Sequence, residues 1–401
     1  MKRTCYINFF LFLFFAWHTN YSIAQENSTL PASVYVLEIE PIGGMIVPNY
    51  RNYPKSNPLN GILINTGKIH YNSSFSDYFN HPHTGVSVGI VNLGNEKVFG
   101  YQYFAMPFLS LNTSGTKSNS WWFRFGLGAS YFTTFYDSIY NRSNEAVGSS
   151  YSWAFQAAIH KKWYINEQMN LKLGGHYLHA SNGHTQLPNF GLNSAALSLA
   201  LEYLPGKKNL KEVNKPVIEK SPKSYFIQKF SGIGFHELGA TDKPIGGAKK
   251  PIYFTSISAG YIHNKHFKVR SGFSYRYYQH YYDYINSNQL EPYIENPHTS
   301  SSNFYYFIGT EFLFSHVSFD IEGGLNIYKP YFNYFYPTFE GRGNLDFTLK
   351  KLFCSQVGLN FYAINTNLLP KYNAFIGVQM NANFGQADFS GAKIGLVYRL
   401  K

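Results

Sequence analysis

The sequence predicts an all-β protein built as a single antiparallel transmembrane β-barrel of about 14–16 strands. Two observations favour this class. Aromatic residues make up 19% of the chain and charged residues only 14%, a balance that is unusual for a soluble domain. Apolar residues also recur on one parity in segment after segment, as in strands that face lipid on one side. The pattern leaves one alternative open, an eight-stranded barrel followed by a second β domain.

The first 24 residues have the features of a secretory signal peptide. A positive start, Lys2-Arg3, precedes an apolar core over residues 9–17 that is too short to span a bilayer. The small-x-small sequence Ser22-Ile23-Ala24 then offers a cleavage site. We therefore expect residues 1–24 to be removed and residues 25–401 to form the outer-membrane barrel.

Alternating segments predict the strands in order along the chain. Six clear segments precede a lysine-rich connection at residues 205–223, and they lie at 84–93, 97–111, 121–134, 151–164, 170–181 and 193–204. Eight follow it, at 225–235, 252–262, 267–279, 303–314, 317–328, 350–362, 372–380 and 392–400. Two weaker segments at 34–46 and 61–71 raise the number to 16, and both or neither should count because such barrels have even strand numbers.

Loop lengths predict which end of the barrel faces outward. Short turns are periplasmic in these barrels and long loops face out, so the 183–192 loop is expected outside and the carboxyl terminus inside. Two connections do not fit this alternation: the short turn at 94–96 falls outside, and the long 205–223 falls inside. We interpret 205–223 as a periplasmic connection within one barrel, in preference to a linker between domains, with 224–401 as the second half of the barrel.

Charge and cysteine content narrow the classes of function. The net charge is +12, or +10 without the signal peptide, and a basic surface suits a membrane coated with phosphorylated lipid. No nucleic-acid-binding motif is present, so we expect no nucleic-acid partner. Cys354 stands alone after the signal peptide, which excludes an intramolecular disulfide.

The most informative stretch is His179-Ala180-Ser181-Asn182-Gly183, followed by Pro188-Asn189-Phe190-Gly191-Leu192-Asn193. His179 and Ser181 are two residues apart, so they project from one face of a strand, and that face is the apolar one. Asn193 begins the next strand on the same outward face. Because neighbouring strands lie about 4.8 Å apart, we expect the three side chains to converge at outer-leaflet depth.

These residues resemble the PagL-type lipid A 3-O-deacylases, also described as acyloxyacyl-hydrolase-like outer-membrane proteins. The resemblance rests on His-x-Ser-Asn followed by Pro-Asn-x-Gly between two strands, and extends more weakly over residues 84–204. It implies an esterase that removes a 3-O-linked acyl chain from lipid A, with His179 as general base and Ser181 as nucleophile. The family's third member is a glutamate, and Asn193 stands in its place.

The chemistry of these side chains agrees with that role. A serine hydroxyl needs a base within hydrogen-bond reach, and the imidazolium that forms needs an orienting acceptor. The amide oxygen of Asn193 can orient the ring but brings no negative charge, a loss worth roughly 10²- to 10⁴-fold in rate. The backbone N–H groups of Asn182 and Gly183 and the side chain of Asn189 are the candidate oxyanion donors.

The sequence thus predicts an outer-membrane ester hydrolase that acts on lipid A or a related lipid in the outer leaflet, without a cofactor or a metal. The histidine pairs His81/His83 and His263/His266 lack the carboxylates or cysteines of a metal site. Two other hypotheses remain: a porin-like binding or transport barrel with a degenerate site, and a scaffold barrel that binds a periplasmic partner through the lysine-rich connection.

Overall fold

The computed structural model describes residues 33–71, 74–113, 120–205, 223–245, 248–341 and 343–400. The predicted signal peptide and all but the ends of the lysine-rich connection lie outside these residues. Within them, every segment predicted to be a strand contains one, with bounds that differ by a few residues from those expected.

The first eight strands close into an antiparallel barrel in chain order, and β1 pairs with β8 to complete the ring. The strands are β1 Ser33–Val47, β2 Leu59–His70, β3 His83–Asn92, β4 Tyr101–Asn112, β5 Ser120–Phe132, β6 Tyr151–Tyr164, β7 Met169–Ser181 and β8 Leu192–Tyr203.

A second closed barrel follows, in which β9 pairs with both β12 and β18. Its strands are β9 Ser224–His236, β12 Lys250–His263, β13 Phe267–Tyr278, β14 Ser302–Phe314, β15 Val317–Tyr328, β16 Phe353–Tyr362, β17 Tyr372–Asn383 and β18 Gln386–Arg399. The short strands β10 Gly239–Ala240 and β11 Lys243–Pro244 form a ribbon in the β9–β12 connection.

The all-β antiparallel barrel class is therefore confirmed, but the preferred arrangement as a single barrel of 14–16 strands is corrected. The structure has the alternative arrangement, an eight-stranded barrel and a second β domain, and that domain is itself a barrel. The lysine-rich connection consequently joins two barrels and does not lie within one. Alternation shows which face of a strand is apolar, whereas closure depends on pairs such as β1–β8 that are distant in sequence.

Large apolar side chains predominate on the outward faces of both barrels, and inward residues pair their charges in the lumen. In the first barrel, Arg124 lies 2.7 Å from Glu38 and 3.1 Å from Glu40, and all three are fully buried. In the second, Arg270 lies 2.6 Å from Asp320, which also binds Lys393 at 2.8 Å. Buried ions need such partners, and the interior of an eight-stranded barrel is just wide enough to be filled by side chains.

The outer end of the first barrel is the end that carries the 182–191 loop, and the outer end of the second barrel is the end at which β9 finishes. Helices occupy the long connections at the outer end of the second barrel. They are Gln279–Ser287, Tyr293–Glu295, Pro297–Ser300, Phe332–Phe335, Tyr336–Glu340 and Asn344–Leu352, while Ser74–Phe79 and Thr366–Leu368 lie at inner ends. The outer helices bury an aromatic cluster that includes Tyr281, Tyr331 and Phe335 above the strands. Among the helices of the described residues, none combines the length and apolar character needed to cross a membrane.

The two barrels touch at both ends. At the inner end, the ring of Phe75 lies 5.5 Å from those of His266 and Phe314. At the outer end, Nε1 of Trp153 donates a 2.8 Å hydrogen bond to Oγ of Ser390. Inner end meets inner end and outer end meets outer end, so the barrels stand side by side in the same orientation. The second barrel thereby lies against the outer end of β6 and β7.

Candidate active site

Strands β7 and β8 bring His179 and Asn193 directly opposite each other in the antiparallel register. Along β7 the even positions 170–180 are all buried in the lumen, whereas the odd positions 169–179 are exposed or half-exposed. His179 therefore projects outward. Asn193 has the same outward parity on β8, because the alternation of that strand places Ser194 and Ser198 inside.

The His179 ring is held by the amide oxygen of Asn193. Nδ1 of His179 lies 2.7 Å from Oδ1 of Asn193, and the hydroxyl of Tyr177 donates to the same oxygen at 2.7 Å. An amide oxygen only accepts, so Nδ1 must carry the hydrogen of the neutral ring. The lone pair is then on Nε2, which is the atom that a general base uses.

Ser181 lies two residues further along β7, with its hydroxyl among hydrogen-bond donors. Oγ accepts from Nδ2 of Asn189 at 2.8 Å and from the backbone N–H of Gly183 at 3.2 Å. The backbone N–H of Asn182 donates to Oδ1 of Asn189 at 3.3 Å, which turns the NH₂ group of that amide toward Ser181. Among the described residues no hydrogen bond joins Ser181 to His179; both side chains line one cavity of about 320 Å³.

The structure places the six predicted site residues in different ways. His179, Ser181 and Asn189 line the cavity, and Asn193 lies behind His179. Gly183 contributes its backbone N–H. The side chain of Asn182 turns away, donating to the carbonyl of Gln186 at 2.7 Å, so only its backbone faces the site.

Two glycines in the 182–191 loop are required by the packing around them. Both have a positive φ, 66° at Gly183 and 77° at Gly191. A Cβ at Gly191 would lie 2.7 Å from Cε1 of His179, and one at Gly183 would lie 2.0 Å from Oγ of Ser390. Any larger residue would displace the ring of His179 at the first position or Ser390 of the second barrel at the other.

The second barrel forms the opposite wall of the cavity. Its contributions are Thr241, Lys350, Met380, Ala382, Gly385, Gln386 and Ala387. Ser181 is consequently only 5% exposed, although its parity on β7 is the outward one. The alternation along β7 and β8 predicts that these side chains face lipid, and this expectation fails at Ser181 because a second barrel packs against this side.

Two further parts of the site differ in whether the sequence carries a signal for them. Tyr177 shares the parity of His179 and lies two residues before it, so the same alternation argument could have found its contact with Asn193. The second-barrel wall could not be found in this way, because Thr241 and Met380 lie far along the chain and carry no local motif.

An apolar groove lies on the outward wall directly below the site. It has a volume of about 620 Å³, and its floor consists of the small residues Gly43, Ala157, Gly175 and Ala195. Larger side chains flank it, among them Met45, Phe123, Phe125, Ile159 and Leu197. Tyr177 and Ala195 face each other across β7 and β8, one outward position below His179 and Asn193, so the groove begins at the site.

Burial dominates the electrostatics of the loops around the cavity. It lowers the pKa of His184, which favours the neutral imidazole. It raises the pKa of Glu237, and the backbone N–H of Leu187, which donates to the carboxylate, opposes that shift. Burial also lowers the pKa of Lys329 in the second barrel to about 8.

One cluster in the described residues has ligand types that could hold a metal ion: Glu40, His160 and His176 in the first lumen. Oε1 of Glu40 accepts from Nε2 of His160 at 2.8 Å and of His176 at 3.1 Å, and also from Ser198 at 2.7 Å. These are the distances of a hydrogen-bonded network, and Arg124 already neutralises the carboxylate. We interpret the cluster as part of the lumen packing.

Residues 65–202 match the family model of the lipid A 3-O-deacylase (PagL). The first barrel is similar to the PagL family. The match covers 138 of the 401 residues and includes β3 to β7, most of β8 and the whole 182–191 loop. It confirms the resemblance read from the sequence, and together with the barrel fold it indicates a hydrolase family of the bacterial outer membrane. No curated protein matches the chain.

Solved structures with some likeness include the outer membrane enzyme PagL, at 15% identity over 41% of this chain and 97% of that one, with a TM-score of 0.31. CdiB from Acinetobacter baumannii matches at 10% identity over 92% and 60% of the two chains, with a TM-score of 0.18. A porin matches at 8% identity over 91% and 100%, with a TM-score of 0.16. These scores are low, and the family resemblance rests on the family match.

Proposed function

We propose that this protein is an outer-membrane esterase that removes an O-linked acyl chain from lipid A or a related acylated lipid. One observation carries the proposal. The bond from His179 to Asn193 leaves the basic Nε2 of the ring free, in a cavity that also holds the hydroxyl of Ser181. Both side chains project from the outward side of β7, next to the apolar groove on the outer wall of the first barrel, and this groove supports a substrate that lies in the membrane.

In the proposed reaction, Oγ of Ser181 attacks the ester carbonyl carbon while Nε2 of His179 takes the hydroxyl proton. The tetrahedral intermediate collapses, the bond to the sugar oxygen breaks, and His179 returns the proton to that oxygen. Water then attacks the acyl-enzyme with His179 again as base, and a free fatty acid and Ser181 are released.

Donors for the oxyanion are already arranged around Ser181. Nδ2 of Asn189 and the backbone N–H of Gly183 both point at Oγ in the resting site. A carbonyl oxygen that develops negative charge next to Oγ would accept from these same groups. This arrangement supports Asn189 and Gly183 as the oxyanion donors, with the backbone of Asn182 orienting Asn189.

The groove below the site supports a long-chain substrate. Gly43 and Gly175 lie in strands, where glycine is unfavourable, and a Cβ at either would meet no atom closer than 3.8 Å. Neither has a positive φ. Their small size is therefore not explained by the backbone or by packing within the barrel, and it keeps the groove open for an acyl chain that descends from the scissile ester.

Covalent labelling tests the proposed nucleophile. A fluorophosphonate probe forms a stable bond with a serine that an adjacent base activates, so we expect one adduct on wild-type protein and none on Ser181→Ala. The matched control is Ser194→Ala. This buried serine points from β8 into the lumen of the first barrel, so its loss should leave labelling unchanged. Equal labelling of wild type and Ser181→Ala would exclude Ser181 as the nucleophile.

A further inference from the structure

The loop that carries the proposed oxyanion donor is held by the second barrel. Three backbone groups of the 182–191 loop bond to the β9–β12 connection. The carbonyl of His184 accepts from the N–H of Glu237 at 3.0 Å, and the N–H of Leu187 donates to the Glu237 carboxylate at 2.7 Å. The N–H of Asn189 donates to the carbonyl of Thr241 at 3.0 Å.

Asn189 thereby links the second barrel to the proposed nucleophile. Its backbone is fixed by Thr241, and its side-chain amide donates to Oγ of Ser181 at 2.8 Å. Thr241 is fixed in turn, because Nε2 of Gln386 at the start of β18 donates to its hydroxyl at 3.0 Å. A continuous path of hydrogen bonds therefore runs from the second barrel to Ser181.

Contacts at the amino-terminal end of the loop also hold it against the second barrel. The hydroxyl of Ser390 donates to the carbonyl of Asn182 at 3.2 Å and accepts from Trp153 at 2.8 Å. Gly183, next in the chain, packs so closely on Ser390 that it has no room for a Cβ. The loop is thus anchored to the second barrel near both of its ends.

We infer that the second barrel is a positioning element for the Ser181 site: its β9–β12 connection holds the loop that places Asn189, and its β17–β18 end closes the outer wall of the cavity. This inference rests on the proposed function. An oxyanion donor must be held in place before the reaction to stabilise the transition state. A donor on a loop meets that requirement only when something rigid anchors the loop, and a closed barrel provides such a support.

Glu237 is the residue through which to test this inference, because it bonds to the loop twice and touches neither Ser181 nor His179. Glu237→Ala removes the acceptor of the Leu187 N–H. Glu237→Gln keeps a carbonyl oxygen at the same place and should restore the contact. Glu295→Ala is the matched control, since Glu295 is an exposed acid in another outer connection of the second barrel.

Two measurements on the purified full-length protein decide the matter. Hydrogen–deuterium exchange of residues 182–191 should be faster in Glu237→Ala than in wild type, and unchanged in Glu237→Gln and Glu295→Ala. Steady-state deacylation of lipid A in detergent should give a kcat about 10- to 100-fold lower in Glu237→Ala, with KM nearly unchanged. The reason is that a displaced Asn189 amide would lose part of its hydrogen bond to the oxyanion. Glu237→Gln should recover most of the rate.

Unchanged exchange in Glu237→Ala would overturn the inference, whatever the activity. A faster-exchanging loop with an undiminished kcat would overturn it as well, because the loop would then not need the second barrel for catalysis. A wild-type protein that does not react at Ser181 would instead disprove the proposed function, and the exchange measurement would still show whether the second barrel holds the loop.

Discussion

At the residue scale, the distinctive feature is a neutral side chain behind the histidine. Asn193 accepts from His179 and from Tyr177 through one oxygen. It fixes the tautomer of the ring, but it supplies no charge to stabilise the imidazolium of the proposed reaction. The convergence of His179, Ser181 and Asn193 could be expected from the sequence because all three follow from alternation and one short loop. The contact with Tyr177 follows from the same alternation.

Substitutions of Asn193 test this account. Asn193→Ala removes the acceptor and should lower the rate of acyl release from lipid A by roughly 10- to 100-fold, because the ring loses its orientation. Asn193→Asp and Asn193→Glu should retain or raise the rate, since a carboxylate accepts the same bond and stabilises the imidazolium. Partial desolvation at this site would offset part of that gain. Equal rates in wild type and Asn193→Ala would show that Asn193 only begins a strand.

At the element scale, alternation predicts the strands because each strand is half lipid-facing and half lumen-facing. The predicted bounds of β6 equal the observed ones, whereas the predicted start of β16 lies three residues before the observed start, because a helix precedes this strand. The number of barrels could not be predicted in this way, since the pairs that close each ring join strands distant in sequence. One local feature does indicate two barrels: the connection at 205–223 is long, although it lies on the side where the other connections are short turns.

The groove of the first barrel provides a prediction at the same scale. Gly43→Leu and Gly175→Leu should fold normally, because both positions have room for a side chain and strands tolerate leucine better than glycine. Each should slow release of a long acyl chain by roughly tenfold or more, since the chain would be displaced from the serine. Hydrolysis of a two-carbon ester should be unaffected.

The matched control for the groove is Gly323→Leu, at an exposed strand position of the second barrel that likewise has no atom within 4 Å of its Cβ. It should leave both reactions unchanged. If the groove variants processed long-chain lipid at the wild-type rate, the groove would not hold the acyl chain.

At the scale of the whole molecule, two eight-stranded barrels stand side by side and share one cavity at their outer ends. The lumens hold compact ion-pair networks centred on Arg124 and Arg270. An eight-stranded lumen is just wide enough for side chains, so such interiors do not support the porin-like transport hypothesis. The second barrel covers the cavity, and nothing in the local sequence of residues 224–401 predicts this, because the contacts come from separate loops and strand ends.

The most direct test of the central claim is mass spectrometry of lipid A after incubation with the purified protein, with Ser181→Ala in parallel. We expect wild-type protein to produce a species lighter by one acyl chain, together with the free fatty acid, and Ser181→Ala to leave the lipid intact. Heat-modifiable migration on gels would verify that both proteins are folded. Unchanged lipid A with folded wild-type protein, or equal deacylation by both proteins, would contradict the account.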